Sequence, residues 1–560
     1  MVVVILWLAG MIAVGWLVAR WGWRLRSADI SLGVAPAVGL ASGLLATNAL
    51  THLLPVGTAA LVSTAVLGAG GLALVTLARR SAAVSDGRAL EASDHDAPRP
   101  DAVDLVLWLV AGGIVIAVVG AGALATLIYD EELQHWPLVA TLAADNFPPS
   151  LPFWPAWPAV YHYGSDLLAA AVHRLAGLAV WWSIDVITLV VAAAVFWGVA
   201  SLLRRAGGSA AYAIAGAVFV FFGGGWVPGW FAQRIPFWLT YSQGPLAGMT
   251  SEPMLVGNLF NSFALIVHSH PPALGLVCLL AYAHGWITVQ AQGAPRGARW
   301  LAAGLTVLVG AAAALASSSE FVLLLLGTGA VVGWRAGGLL MAALRPLGAP
   351  ASSWGDVARD SALVLATAAL GLLSGGALSD LLFRARGLPL GTSLSLRGTP
   401  GWPLLTGDVV ALNASWWWDL LLAEYGLPIL LLPLVLWWCF RHPTPLKTWL
   451  LVVAGIGFAL PLLLRYGRAD YDIARFARTA GYLWLLLCAL TAVELSRGRQ
   501  WSRLAQAVAG VFLLGSIYMG VSFAISLWSP EGLKAQSPDV PEAQEAMAPA
   551  VSSRANTAPS

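Results

Sequence analysis

Leu105-Val-Leu-Trp-Leu-Val-Ala-Gly-Gly-Ile-Val-Ile-Ala-Val-Val-Gly-Ala-Gly-Ala-Leu-Ala-Thr-Leu-Ile128 runs without a charge into Tyr129-Asp-Glu-Glu-Leu-Gln-His-Trp136. The first stretch is long enough to cross a bilayer as a helix, which takes about 20 apolar residues. The second sets three carboxylates, Asp130, Glu131 and Glu132, and then His135 where that helix ends. A carboxylate cluster at a membrane face is costly to dehydrate, so it marks a candidate site. Next comes Asp145-Asn-Phe-Pro-Pro-Ser-Leu-Pro-Phe-Trp-Pro-Ala-Trp-Pro-Ala-Val-Tyr-His-Tyr-Gly-Ser-Asp166. A loop this rich in proline and aromatics is stiff and is expected to dock onto something. The competing reading is an interfacial loop with an aromatic belt and solvated acids.

Composition sets the class. Of 560 residues, 59% are hydrophobic and 10% charged, and the mean hydropathy is +0.77. A soluble domain carries about 25% charged residues. The chain therefore reads as an all-α, polytopic transmembrane helix bundle, and a division of its length into soluble domains does not apply. The net charge of +2 says little as a total. Cys278, Cys439 and Cys488 all fall in apolar runs and suggest neither a disulfide framework nor a zinc site. The start, Met1-Val-Val-Val-Ile-Leu-Trp7, has no basic leader and is expected to be a retained helix. There is no Walker A sequence, no strand-borne Gly-x-Gly-x-x-Gly and no basic nucleic-acid face. That argues against an ATP-driven or nucleotide-sugar enzyme with a cytoplasmic site, and against nucleic acid as a partner.

Apolar runs of spanning length lie near 2–19, 30–50, 54–78, 104–129, 179–202, 210–227, 262–285, 299–317, 320–334, 360–379, 419–440, 447–465, 476–494 and 503–527, about fourteen spans. The run 320–334 is the weakest, and Leu339–Leu344 extends or replaces it. With the N-terminus outside, Arg20, Arg24, Arg26, Arg79, Arg80, Arg204, Arg205, Arg296, Arg299, Arg335, Arg345, Arg441, Lys447, Arg497, Arg499 and Arg503 all fall on the inner side. The long loops 130–178, 228–261, 380–418 and 466–475 then lie outside, and with them the carboxylate cluster. The expected organisation is three helices over 1–80, a polar cytoplasmic linker over 81–103, a catalytic core over 104–494 and a last helix within 495–527. Residues 528–560, rich in Pro, Ala, Ser and Glu, read as a disordered tail. The location expected is the plasma membrane, with many crossings.

The exceptions to the charge rule carry information. Arg384, Arg386 and Arg397 lie in one outer loop, and Arg465, Arg468, Arg475 and Arg478 flank another. Positive charge there opposes the topology signal. Guanidinium groups bind phosphate in bidentate fashion, so a lipid-linked phosphate at the outer face is a natural ligand. The alternative is pairing with Asp380, Asp408, Asp470 and Asp472, or with lipid headgroups.

This layout resembles the GT-C superfamily of integral-membrane glycosyltransferases that use polyprenyl-phosphate sugars. A helix runs outward and ends in acids. A first outer loop follows with a candidate amphipathic segment, Asp166-Leu-Leu-Ala-Ala-Ala-Val-His-Arg-Leu-Ala-Gly177, and then many more helices with large outer loops. The resembling part is about 104–494. Its local matches are Asp130-Glu-Glu132 with His135, and Asp145-Asn-Phe-Pro-Pro149 followed by Tyr161-His-Tyr-Gly-Ser-Asp-Leu-Leu168, which is similar to a Tyr-His-Tyr-Gly segment of bacterial members. The chain departs from the simplest pattern in placing three helices before the acidic loop, and in lacking a soluble C-terminal domain, which leaves acceptor recognition to the outer loops. The resemblance implies an acidic base in the first outer loop, here Asp130 or Glu131, with Glu132 third. It also implies a lipid-linked sugar donor, and a glycan, lipid or protein acceptor.

The residues suit that chemistry in their own right. Glycosyl transfer needs a base for an acceptor hydroxyl, and a positioned carboxylate can serve. It needs stabilisation of the leaving phosphate, from arginine or from a divalent metal. Adjacent acids raise each other's pKa, which suits a base. His135 orients an acid, contacts phosphate, or is a buried hydrogen-bonded histidine. Asp145, Tyr161, His162 and Tyr163 are candidate substrate contacts. Glu320, after Ser317-Ser-Ser319, either caps a helix or lines a cavity. His268 and His270 precede Pro271-Pro272 in an apolar span, and with His135 and His162 show no tight metal-ligand spacing. Trp416-Trp-Trp418 reads as an interfacial belt or a sugar-stacking platform. The rival class is a transporter or lipid flippase, but no internal repeat is evident and the polar residues gather at outer helix ends.

Overall fold

Each long apolar run folds as a helix, because only a helix satisfies its own backbone polar groups away from water. The computed structural model describes residues 1–25, 27–84, 102–125, 135–151, 154–224, 240–241, 254–255, 270–291, 296–344, 353–384, 394–398, 400–403, 409–411, 421, 425, 427–466, 473–496, 503, 507 and 510. In chain order the helices are α1 (Val2–Leu17), α2 (Ala28–Thr51), α3 (Val56–Val84), α4 (Ala102–Ala125), α5 (Trp136–Ala143), α6 (Gly164–Ala176), α7 (Val180–Arg205) and α8 (Ala210–Phe222). They continue with α9 (His270–Gln290), α10 (Arg296–Ala316), α11 (Ser318–Leu344), α12 (Trp354–Ser374), α13 (Leu432–Arg441), α14 (Pro445–Leu463) and α15 (Arg475–Ser496). Strands among the described residues occur only as two-stranded ribbons. β1 (Ser150–Leu151) pairs antiparallel with β2 (Trp154–Pro158), and Leu394–Leu396 pairs with Leu464–Tyr466.

The fold is thus an all-α polytopic bundle. Among the described residues, ten helices are long and apolar enough to cross a membrane, and shorter apolar helices lie at Val106–Gly120, Ala210–Phe222 and Pro428–Arg441. These match the first thirteen expected spans in order, and nearly all of 503–527 lies outside the described residues. The weak run 320–334 is part of one long helix, α11, so Leu339–Leu344 extends it. The span expected at 360–379 starts and stops earlier. Ser353 caps α12, its hydroxyl accepting from the Asp356 amide while the Asp356 carboxylate accepts from the Ser353 amide, a capping box. Gly375 and Gly376 end it with φ of 111° and 85°, a region that favours glycine. The linker expected at 81–103 is shorter at both ends, since α3 reaches Val84 and α4 starts at Ala102. Its remainder and the tail 528–560 lie outside the described residues.

Burial separates central from peripheral helices. The spanning window of α9 is 89% buried and that of α3 only 22%, which puts α9 inside and leaves α3 facing outwards. Helices α2, α7 and α15 are central like α9.

At one end of the bundle the helices are tied by ion pairs. Arg204 of α7 donates to Asp29 of α2 at 2.5 Å and approaches Asp104 of α4 at 3.8 Å. Arg335 of α11 and Arg359 share Asp360 of α12, at 2.8 and 2.7 Å, and Gln290 of α9 donates to the same carboxylate. Arg299 of α10 pairs with Asp356 at 3.3 Å. Lys447 of α14 and Trp438 of α13 both donate to Glu494 of α15. Several cationic groups expected to act as topology signals are therefore also interhelical fasteners.

Arg204 is 1% exposed, so removing its nearer partner leaves a buried charge with only the more distant Asp104 carboxylate, 3.8 Å away. Asp29→Asn is expected to destabilise the protein by about 3–5 kcal/mol. The double variant Asp29→Leu with Arg204→Met is expected to recover most of that loss. Thermal unfolding in detergent tests both, and an unchanged single variant would remove this pair from the account of stability.

Candidate functional site

Antiparallel alternation brings the C-terminal ends of α2, α4, α10, α12 and α14 and the N-terminal ends of α3, α7, α9, α11 and α15 to the end opposite the ion pairs. The loop 135–163 and α6 close over this face. Trp136, Leu138, Val139 and Leu142 bury one side of α5, and α6 is buried without interruption over Gly164–Val172. The segment expected to be amphipathic is thus wedged into the protein, and only its last turn reaches the surface.

His135 and Asp166 meet at the centre of this arrangement. The His135 Nδ1 lies 2.7 Å from the Asp166 Oδ1, with side chains 10% and 2% exposed. A carboxylate there holds the proton on Nδ1 of the neutral ring, so Nε2 carries the lone pair. The Tyr161 hydroxyl stands 3.4 Å from that Nε2. Asp166 sits in the first turn of α6, where the helix dipole favours negative charge. Its second oxygen is buried and has no hydrogen-bond partner among the described residues, as is true of Nε2 of His162. His162 stacks on Tyr161, with ring centres 4.0 Å apart. Burial foremost, then Arg475 and His135, hold the His162 imidazole well below its ordinary value of 6.5. Arg475 at the start of α15 therefore belongs to this cluster electrostatically.

A second set of contacts ties Tyr163 to the helix ends. Its hydroxyl donates to Asn48 Oδ1 of α2 at 3.2 Å, and Asn48 Nδ2 donates to the Ser374 carbonyl at 2.5 Å. A Cβ on Gly375 would stand 2.4 Å from the Tyr163 oxygen, so the turn after α12 admits the phenol only as glycine. Burial and the Asp380 carboxylate raise the Tyr163 phenol far above its ordinary range, so it stays protonated. Phe147 packs edge-on against both Tyr163 and His52, at 5.9 and 4.7 Å between ring centres.

The other candidates take varied positions. Asp145 is a structural tie: its Oδ1 accepts from the Val56 amide at the start of α3 at 2.8 Å, and its Oδ2 lies 3.6 Å from Arg174. Arg384 pairs with Asp380 at 2.9 Å and donates to the Pro149 carbonyl at 3.3 Å, the pairing that the alternative reading expected. Burial pushes the Asp380 carboxyl up, against the pull of Arg384. Arg465 is exposed in a strand, and Arg475 and Arg478 are half-buried on the first turn of α15. Glu320, in the first turn of α11, is fully buried and accepts from Ser319 at 2.8 Å and from Thr479 of α15. Asp130, Glu131, Glu132, Arg386, Arg468, His268 and Trp416–Trp418 lie outside the described residues.

The sequence singles out Asp166 without giving it a role, and gives no sign of Asn48 or His52. A polar residue interrupting a small-apolar helix such as Leu167–Val172 is a usable signal for Asp166. Asn48 and His52 look like ordinary span-end residues. Among the described residues no three His, Cys, Asp or Glu side chains gather as a metal site would require. No family model matches the chain, and no curated protein is significantly similar to it.

His162 is neutral in the fold and protonates in the unfolded chain below about pH 6.5. Its contribution is therefore present above that pH and is lost as pH falls below it, by up to about 1.4 kcal/mol per pH unit. The unfolding temperature is expected to drop between pH 7 and pH 5, and to drop less in His162→Phe, which keeps the stacking. Parallel pH profiles for the two proteins would show that His162 is not buried as described.

Proposed function

We propose that the chain is an integral-membrane glycosyltransferase of the GT-C type, moving a sugar from a polyprenyl-phosphate donor to an extracytoplasmic glycan, lipid or protein. The observation that carries this reading is the buried His135–Asp166 pair, with Tyr161 and His162 beside it. His135 follows Asp130, Glu131 and Glu132 closely in the chain, and Asp166 reaches it from the first turn of α6. In the proposed reaction an acceptor hydroxyl oxygen attacks the anomeric carbon. The bond from that carbon to the phosphate oxygen breaks, and the electron pair leaves with the polyprenyl phosphate. Asp130 or Glu131 takes the hydroxyl proton, and His135, held by Asp166, orients that acid or accepts the proton in turn. Arg475 offsets charge on the leaving phosphate.

The reading places the N-terminus and the site face outside the cell. Leu90→Cys is then expected to stay unlabelled by an impermeant thiol reagent in intact cells and to label after lysis. The native cysteines are all buried, so the background is low. Labelling in intact cells would reverse the orientation.

One observation favours a second reading, proton-coupled transport. Glu320 is a fully buried carboxyl between two spans, and among the described residues it accepts from the Ser319 and Thr479 hydroxyls. One set of variants separates the two. Sugar incorporation from polyprenyl-phosphate sugars is expected to vanish in Asp130→Asn and to fall about 10²–10⁴-fold in Asp166→Asn, with Glu320→Gln well expressed and active. Full activity in Asp130→Asn, Glu131→Gln and Asp166→Asn would exclude the enzyme. Proton-driven uptake lost only in Glu320→Gln would establish the transporter.

A further inference from the structure

The end of the bundle that faces away from the site holds a network with more guanidinium than carboxylate. Arg299 of α10, Arg335 of α11 and Arg359 of α12 meet two acids of α12, Asp356 and Asp360. Both acids are saturated. One Asp360 oxygen accepts from Nε and Nη2 of Arg359, and the other from Arg335 and Gln290. One Asp356 oxygen accepts from Arg299 and Arg359, and the other from the Ser353 amide and hydroxyl. A carboxylate offers about four lone-pair sites, so neither acid has one left for a further donor.

The three arginines are not used to the same extent. Arg359 commits all three of its nitrogens. Arg335 lies over the Trp286 ring, 5.5 Å from its centre, and among the described residues bonds through Nη1 alone. Arg299 also bonds through Nη1 alone, at 3.3 Å, and its Nε is buried with no partner among the described residues. Its side chain is 31% exposed, so one long bond leaves it room to turn its fork outward. The network therefore carries an unbalanced positive charge, with unused N–H groups on two guanidinium forks. Such a fork takes two oxygens of one phosphate.

Depth decides which phosphate. Trp300, Trp334 and Trp354 are 46%, 83% and 57% exposed, and each stands within two residues of a member of the network. Exposed tryptophans around a membrane bundle mark the headgroup level. Farther along the same helices, towards the middle of the bundle, Leu308 of α10 and Leu365 of α12 are exposed, as residues that face acyl chains are. A phosphate held at this level has apolar surface directly behind it, which suits a lipid and gives nothing to a free ion.

We propose that this network binds an anionic glycerophospholipid of the leaflet away from the site face, with its phosphate on the fork of Arg299 and the unbalanced charge of Arg335 behind it. On the orientation proposed above, that is the cytoplasmic leaflet, the one whose surface is negative. The site stands apart from the proposed reaction, and neither requires the other.

The test uses the full-length protein in detergent, titrated with phosphatidylglycerol and with phosphatidylcholine of the same acyl chains, and bound lipid is read by native mass spectrometry. The wild type is expected to bind its first phosphatidylglycerol at least 10-fold tighter than phosphatidylcholine. Arg299→Gln is expected to abolish that preference and to leave phosphatidylcholine binding unchanged. The variant is expected to fold, because Asp356 keeps Arg359 and Ser353 as donors. Arg299→Lys, which keeps the charge and loses the fork, is expected to recover less than half of the lost affinity. Arg441→Gln removes an exposed charge from the end of α13, outside the network, and is expected to change nothing. Equal binding of the two lipids by the wild type overturns the site, as does a preference that survives Arg299→Gln. Equal loss in Arg441→Gln reduces the effect to net charge and overturns it too. Full recovery in Arg299→Lys removes the fork from the account. Inorganic phosphate at the lipid's concentration is expected not to displace phosphatidylglycerol; displacement would make this a site for a free anion and overturn the lipid.

Discussion

Asp360 is a carboxylate buried between the guanidinium groups of Arg335 and Arg359 and the amide of Gln290. Charges at that depth persist only when paired and hydrogen-bonded, because desolvation costs several kcal/mol per ion. The pairing is satisfied only when α9, α11 and α12 stand in one mutual register. Arg204 with Asp29 imposes the same condition on α2 and α7, and Glu494 with Lys447 and Trp438 on α13, α14 and α15. One end of the bundle is thus set by charge matching, in addition to the apolar packing along its length.

The opposite end follows a different rule. It is joined by hydrogen bonds such as Asn48 to Ser374, Asp145 to Val56 and Arg384 to Pro149, and its ion pairs, His135 with Asp166 and Arg384 with Asp380, involve the loops and the short α6, not two spans. Buried atoms of His162, Asp166 and Asp380 there lack a partner among the described residues. An unmet buried polar atom costs about 1–3 kcal/mol. Buried polar atoms without a partner also occur at the charged end, such as Arg299 Nε and His284 Nδ1, but the unmet carboxylate oxygens, of Asp166 and Asp380, are at the other. A face that carries such a cost is where a polar ligand gains most by arriving.

The helices were legible because their signal is local. A run of about 20 apolar residues can cross a bilayer in few ways, so the expected spans recur in order even where the ends shift. The ends shift for local reasons too, such as the Ser353 box and the Gly375-Gly376 turn. The site was legible only as an address. Asp130–His135 and Tyr161–Tyr163 stood out by composition, and His135, Tyr161 and His162 do converge. Their partners come from far away: Asp166 is 31 residues from His135, Thr479 is 159 from Glu320, and Ser374 is 326 from Asn48. No periodicity encodes such pairs. The arginines were misleading in the same way, since a guanidinium that marks topology and one that ties two helices look alike in sequence. Arg204 and Arg335 do the second.

Tyr163 links the two parts of the site face. On one side its hydroxyl is held by Asn48 of α2, which in turn holds the Ser374 carbonyl at the end of α12. On the other it continues through His162 and Tyr161 to His135 and Asp166. Because burial and Asp380 keep the phenol protonated, it donates to Asn48 and leaves the Asn48 amide for Ser374. The chain Ser374–Asn48–Tyr163 is therefore directional, each member having one role that its neighbours fix.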